Sequence, residues 1–198
     1  MDYLNEKIFF NIFLQIFALF LNMRIVLLGY MASGKSTIGK ILAKELKLPF
    51  IDLDNYIEAK FEKTISTIFK EEGEIFFRLQ EHEAIKEIFK NTESFILSLG
   101  GGTPCYANNM DLISTFENTI SIYIKVSINT IYNRLLIEKE QRPLVAKIAL
   151  EELHEFIAKH LFERSYFYEK ATLKIYSDNY KAEEVVDEIK KSLIVNKQ

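Results

Sequence analysis

Cysteine is almost missing from this chain of 198 residues, where Cys105 stands alone. A single thiol excludes a disulfide framework and a thiolate metal cluster, and it fits a reducing compartment such as the cytoplasm. Basic residues do not outnumber acidic ones: 25 against 28 give a net charge of -3, and no basic run of useful length occurs. That argues against a dedicated nucleic-acid surface. His82, His154 and His160 form no metal-ligand pattern and read as surface or helix-face residues. Nor does any apolar stretch reach the roughly 20 residues of a membrane span. The longest, Ile8 to Leu21, is interrupted by Asn11 and Gln15. It lacks a basic start, because Asp2 and Glu6 outweigh Lys7, and no small-residue cleavage site follows, so it does not read as a signal peptide. Asn11, Gln15 and Asn22 share one helical stripe, which leaves a membrane-surface or partner-docked helix as one reading. The reading we favour starts translation at Met23 and makes residues 1–22 a hydrophobic extension outside the working domain.

What is present is concentrated. With 48% hydrophobic residues, the chain from 23 to 198 has side chain enough for one full core. An apolar run, Arg24 to Leu28, leads into Gly29-Tyr30-Met31-Ala32-Ser33-Gly34-Lys35-Ser36, and a helical pattern with Ile38, Ile41, Leu42 and Leu46 on one face follows. This is G-x-x-x-x-G-K-S set between a strand and a helix. The loop's amide hydrogens and the helix N-terminus suit a polyphosphate. Lys35 supplies a charge for its β and γ groups, and Ser36 is placed to ligate magnesium.

Further along, Pro49 to Asp54 reads as a second strand ending in Asp52 and Asp54, which alternation puts on one side. Two carboxylates at a strand end suit a magnesium nucleotide beside a polar substrate; a solvated turn is the plainer alternative. Gly73 is a candidate helix C-cap, and a longer helix from about Glu74 is expected to turn Ile75, Phe76, Leu79, Ile85 and Ile88 inward. A third strand, Phe95 to Leu99, runs into Gly100-Gly101-Gly102, where a ligand can approach the main chain closely or the loop is simply flexible. Cys105 has no partner base in view and reads as a buried or half-buried thiol. Ile120 to Val126 and Leu173 to Tyr176 complete five strands, separated by helices and without a hairpin turn. The pattern predicts a parallel sheet covered on both faces, with its ligands outside the carboxyl ends of the strands. Between them, Glu138 to Pro143 is polar and charged, a solvated loop or a mobile lid that brings Arg134 or Arg142 over a transferring phosphoryl group.

From Met23 to about Leu193 the chain resembles the shikimate kinases, P-loop enzymes of the nucleoside-monophosphate-kinase-like class. The resemblance lies in Lys35-Ser36-Thr37-Ile38-Gly39, Asp52-Leu53-Asp54, Gly73-Glu74 with Phe77-Arg78-Leu79-Gln80-Glu81, Gly100-Gly101-Gly102, Arg142-Pro143-Leu144, and Glu163-Arg164 with Tyr168. It implies a three-layer α/β/α kinase fold with a five-stranded parallel sheet and a mobile lid at about 137–149. It also implies transfer of a phosphoryl group from ATP to shikimate, with Mg2+; a monomer is expected because the pattern shows no exposed apolar helix face beyond the N-terminal one. Gly29, Ala32, Ser33, Gly34, Lys35, Ser36, Thr37 and Arg142 would hold the nucleotide, and Ser36 the metal with Asp52 in its outer shell. Asp54, Arg78, Gly100, Gly101, Gly102 and Arg164 would bind shikimate, the two arginines on its carboxylate. Lys35, Asp54 and Arg142 would act in catalysis, and Ser177-Asp178 would edge the adenine. Ala32 stands where the family often has glycine, Leu99 where threonine is common, and the lid diverges most, which leaves the role of Arg134 open. The rivals are a related kinase, such as one for gluconate, and a nucleotide-dependent switch that phosphorylates no metabolite.

Overall fold

The computed structural model describes residues 22–138 and 143–196. The extension set apart by the sequence, except for Asn22, and the segment containing Arg142 lie outside the described residues. Five strands, β1 (Arg24–Leu28), β2 (Phe50–Asp52), β3 (Phe95–Ser98), β4 (Thr119–Lys125) and β5 (Leu173–Tyr176), form one sheet in the order β2-β3-β1-β4-β5. Every pairing is parallel. The three inner strands are buried, with Val26, Ile96 and Ile124 sealed from solvent, as a sheet covered on both faces requires.

The first helix, α1 (Lys35–Leu46), follows β1 and packs on β1, β2 and β3. Its apolar positions Ile38, Leu42 and Ala43 recur at helical spacing and are buried. Helices α2 (Leu53–Phe61) and α3 (Ile65–Glu71) pack against α4 (Gly73–Asn91). Then come α5 (Asn109–Thr115), α6 (Ile128–Glu138), α7 (Pro143–Ala146), α8 (Leu150–Tyr168) and α9 (Ala182–Val195). Of these, α6 packs on α8, and α9 on α1. No helix among the described residues is long and apolar enough to cross a membrane.

Two expectations are corrected. The second strand stops at Asp52, and Asp54 lies in the first turn of α2, so strand alternation does not align the two carboxylates. Asp52 instead caps α2, its Oδ1 accepting from Asn55 N at 3.4 Å. In α4, Ile75 and Leu79 point outward, 81% and 53% exposed, while Phe77, Ala84, Ile85, Ile88 and Phe89 enter the core. Phe76 packs against the core half-buried, as expected, and Phe77, whose ring meets Phe69 of α3 at 4.6 Å, takes the inward place expected of Ile75 and Leu79. Gly73, with φ +84°, does mark the break between α3 and α4.

Register brings the site together. Asp52 pairs with Ser98 across β2 and β3, and Ser98 with Leu27 across β3 and β1. The ends of three strands therefore stand on one rung, with the phosphate loop, the cap of α2 and the glycine loop all leaving from it.

Candidate active site

The loop from Gly29 wraps into α1, whose N-cap is Gly34 at φ +93°. Its lysine is folded inward: Lys35 Nζ donates to Gly29 O at 2.9 Å, Tyr30 O at 2.8 Å and Ser33 Oγ at 3.4 Å. Ser36 Oγ donates to Asp52 Oδ2 at 2.8 Å and lies 3.4 Å from Ser98 Oγ. A cleft of about 440 Å3 opens here, lined by Ala32 to Ile38 together with Asp52, Asp54, Leu99, Arg134, Ser177, Tyr180 and Ala182. The size suits a nucleotide. All the loop residues expected at the nucleotide therefore border the cleft except Gly29, whose carbonyl holds Lys35 from behind.

Arg78, Arg164 and the three glycines do not line that cleft; they form a second cluster beside it. Arg78 Nη1 donates to Glu81 Oε2 at 2.8 Å, Nη2 and Nε donate to Glu74 Oε1 at 3.2 and 3.3 Å, and the guanidinium lies 4.3 Å from the Tyr106 ring centre. Glu81 also accepts from the Thr103 hydroxyl. Burial pushes the Glu81 carboxyl up, opposed by Arg78 and by that hydroxyl. The glycine loop lies so close that side chains there would collide: a Cβ on Gly100 would stand 2.9 Å from Asp54 Oδ1, and one on Gly102 would stand 2.8 Å from Arg78 Nη2. Close approach, rather than flexibility, is what the glycines provide. Tyr168 fixes the loop from α8, its hydroxyl donating to Gly101 O at 2.6 Å.

Asp54 connects the two halves. It borders the nucleotide cleft, yet its charge is felt by Glu81 and Arg78 of the second cluster. Burial, then Glu81 and Asp52, raise its carboxyl to about 6, against the pull of Lys35 and Arg78. A carboxylate poised there can accept a proton near neutrality. Arg164, on α8, donates to His160 O at 3.1 Å. Burial lifts the half-buried Cys105 thiol to about 11, although Arg164 and Arg78 both draw it down. At that value the thiol stays protonated and inert.

Several contributors were not assigned from sequence. Arg134 Nη1 donates to Ala32 O at 2.9 Å, so this arginine belongs to the phosphate loop. Ser98, Thr103, Tyr30 and His160 have no motif of their own; only the three-residue step from Arg78 to Glu81 and the four-residue step from His160 to Arg164 signal a shared helix face. Ser177 and Tyr180 edge the cleft, while Asp178 turns to α6, taking Ser127 N at 3.0 Å and Ser127 Oγ at 2.8 Å. Among the described residues no group of three or more His, Cys, Asp or Glu side chains gathers as a metal cluster.

A parallel sheet with a lysine-bearing phosphate loop at the rim, and a carboxylate facing an arginine cluster across it, defines a P-loop phosphotransferase acting on a small anionic acceptor. The comparisons sharpen this. The family model for shikimate kinase matches residues 31–194. The shikimate kinase of Flavobacterium psychrophilum is 49% identical over 170 residues, 86% of this chain and 98% of that protein. Among solved structures, the shikimate kinase of Bacteroides thetaiotaomicron superposes with a TM-score of 0.79 at 36% identity, over 86% of this chain and 98% of its own. That of Acinetobacter baumannii, solved in complex with shikimate, gives 0.80 at 29% identity, over 91% and 98%. The chain belongs to the shikimate kinase family.

Proposed function

We infer that this protein transfers the γ-phosphoryl group of ATP to a hydroxyl of shikimate, with the two substrates meeting at Asp54. The observation that carries the reading is the place of that carboxylate, at the edge of the phosphate-loop cleft and within the electrostatic reach of Arg78 and Glu81.

The nucleotide's phosphates fit the loop from Gly29 to Thr37, where backbone amides and the start of α1 favour negative charge. Lys35 neutralises the oxygens on which charge grows as the phosphoryl group leaves. Its loop contacts hold the amine folded inside the loop at the wall of the cleft. The hydroxyl of Ser36 with Asp52 and Ser98 beside it is a set of hard oxygens that suits Mg2+: Ser36 would ligate the ion, Asp52 would hold its outer shell, and the ion would draw charge from the phosphates.

On the acceptor side, the planar forks of Arg78 and Arg164 suit a carboxylate, and the amides of Gly101 and Gly102 suit the ring's hydroxyls. Gly100 gives Asp54 room. Asp54 orients the attacking hydroxyl and takes its proton as the oxygen bonds to phosphorus; in a loose transition state that proton leaves late. Arg142, which lies outside the described residues, retains the role that the family pattern implies, a cation closing over the phosphates.

ADP release tests this, with magnesium ATP and the full chain, and with shikimate, quinate, gluconate and nucleoside monophosphates offered in parallel. Turnover with shikimate and not with gluconate is the expected result. Turnover with gluconate instead, or tight ATP binding with no turnover on any acceptor, overturns it in favour of the sister kinase or the switch.

A further inference from the structure

We propose that Tyr30 and His160 are positioning residues that tie the phosphate loop to the helix carrying Arg164, so that nucleotide phosphates and acceptor carboxylate are held in one frame. The proposal rests on the reading of Arg164 as a carboxylate ligand. Tyr30 occupies the second position of the phosphate loop, and its side chain is turned away from the loop's interior and fully buried. Its hydroxyl meets His160 Nδ1 at 2.8 Å, and the two rings pack edge to face at 5.6 Å. The His160 ring also lies 4.9 Å from Phe156, one turn back on α8.

A bonded path follows from this contact. Lys35 Nζ donates to the Tyr30 carbonyl, the Tyr30 hydroxyl bonds the His160 ring, and the His160 carbonyl accepts from Arg164 Nη1. It joins the lysine that faces the transferred phosphate to the arginine that faces the acceptor. The helix makes the geometry: His160, Arg164 and Tyr168 recur every four residues and so share one stripe of α8. One turn before Arg164 the stripe is pinned to the phosphate loop through Tyr30; one turn after, it is pinned to the glycine loop by the Tyr168 hydroxyl on Gly101 O. Arg164 is bracketed by an anchor to each half of the site.

The chemistry of the first anchor favours one charge state. Burial and then Arg164, with Arg78 more weakly, hold the His160 imidazole down to about 4 against the pull of Glu163. The ring is therefore neutral, and so is the Tyr30 hydroxyl, which burial raises, so the bond joins two uncharged groups. A neutral link adds no charge beside a carboxylate site that depends on two arginines.

The test uses the full chain with Tyr30→Phe and His160→Leu, which keep most of the packing and remove the bond. Each is expected to raise the shikimate KM about fivefold, the worth of one net hydrogen bond, with smaller changes in kcat and in the ATP KM. The double variant is expected to match the single ones, and Tyr30→Phe to add nothing in an Arg164→Ala background. An unmoved shikimate KM in both variants, while Arg164→Ala still weakens shikimate binding, overturns the proposal alone. So does a parallel rise in both KM values with a fall in Tm, the mark of a contact that only holds the fold. Unchanged shikimate affinity in Arg164→Ala, measured by calorimetry, overturns the carboxylate assignment beneath it and is read independently of Tyr30.

Discussion

Arg78 and Glu81 face each other across one turn of α4, guanidinium Nη1 to carboxylate Oε2 at 2.8 Å, and the carboxylate is wholly buried. A charge that deep is tolerated because it is paired and because the Thr103 hydroxyl fills another lone pair. The same pair fixes the guanidinium against Gly102 and the Tyr106 ring, which leaves Arg78 one orientation.

Glu81→Gln therefore acts at a distance from any substrate atom. Among the described residues it leaves the partly buried guanidinium a single direct ion pair, with the exposed Glu74, and Asp54 as a more distant counter-charge. The expected cost is about 2 kcal/mol or more of stability, on the scale for removing one partner of a buried pair. Thermal unfolding measures that, and a rise in the shikimate KM without a matching rise in the ATP KM shows that Arg78 has lost its aim. Equal stability to the parent chain would mean that Glu81 is already protonated.

Asp54 gives a prediction of opposite sign. Its folded-state carboxyl sits near 6, above the usual value of 3.8, chiefly through burial. The folded protein thus binds a proton more readily than the unfolded chain between those values, and this group makes stability fall as pH rises through that window. Asp54→Asn removes the penalty: it is expected to stabilise the protein at pH 7.5 by up to about 3 kcal/mol, with most of that gain gone at pH 4. Turnover is expected to fall at least a hundredfold, the scale of a lost proton acceptor. In the parent enzyme the acid limb of kcat/KM is expected near 6 for the same reason. Lost activity with no change in stability at any pH would count against the buried carboxylate.

How much of this was legible in advance divides along physical lines. The five strands, their parallel pairing and the rim on which Lys35, Asp52 and Gly100 meet follow from local signals: short apolar runs, helical spacing between them, and a loop whose composition states its ligand. What failed was the detail at a boundary. The backbone leaves β2 at Asp52 because that side chain caps the next helix, so Asp54 reaches the cleft from a helical turn. What could not be read was long-range. Tyr30 to His160 spans 130 positions and Arg134 to Ala32 spans 102, and neither pair leaves a trace in spacing. Glu81 was the intermediate case, quoted within a pattern yet without a role until Thr103 and Arg78 closed around it.

Arg134 is the cation whose role the divergent lid left open. It comes from α6 and donates to the carbonyl of Ala32 while bordering the nucleotide cleft. Arg134→Gln is expected to raise the ATP KM about fivefold and to leave shikimate affinity in place, since one net hydrogen bond on the phosphate loop is lost and nothing on the acceptor side is touched. Isothermal titration with a nonhydrolysable ATP analogue separates the two; a weakened shikimate affinity with unaltered nucleotide binding would refute the placement.

Ala32 itself is strained. Its φ of +58° lies in the left-handed region, at the position where the resemblance noted glycine as the commoner residue. A non-glycine residue there costs about 1–2 kcal/mol through its Cβ. Ala32→Gly removes that cost and gives back about 0.5–1 kcal/mol in the greater freedom of the unfolded chain. The difference leaves a net gain of about 0.5–1 kcal/mol, visible as a rise in Tm. Ala32→Val moves the other way, because a branched Cβ is least tolerated at positive φ. Function separates strain from fit. The Ala32 carbonyl is held by Arg134, so the loop keeps its shape in the glycine variant and the ATP KM is expected to change less than twofold. If the glycine variant instead lost stability, the left-handed turn would be stabilised by the methyl group itself, through its contact with the core around the cleft.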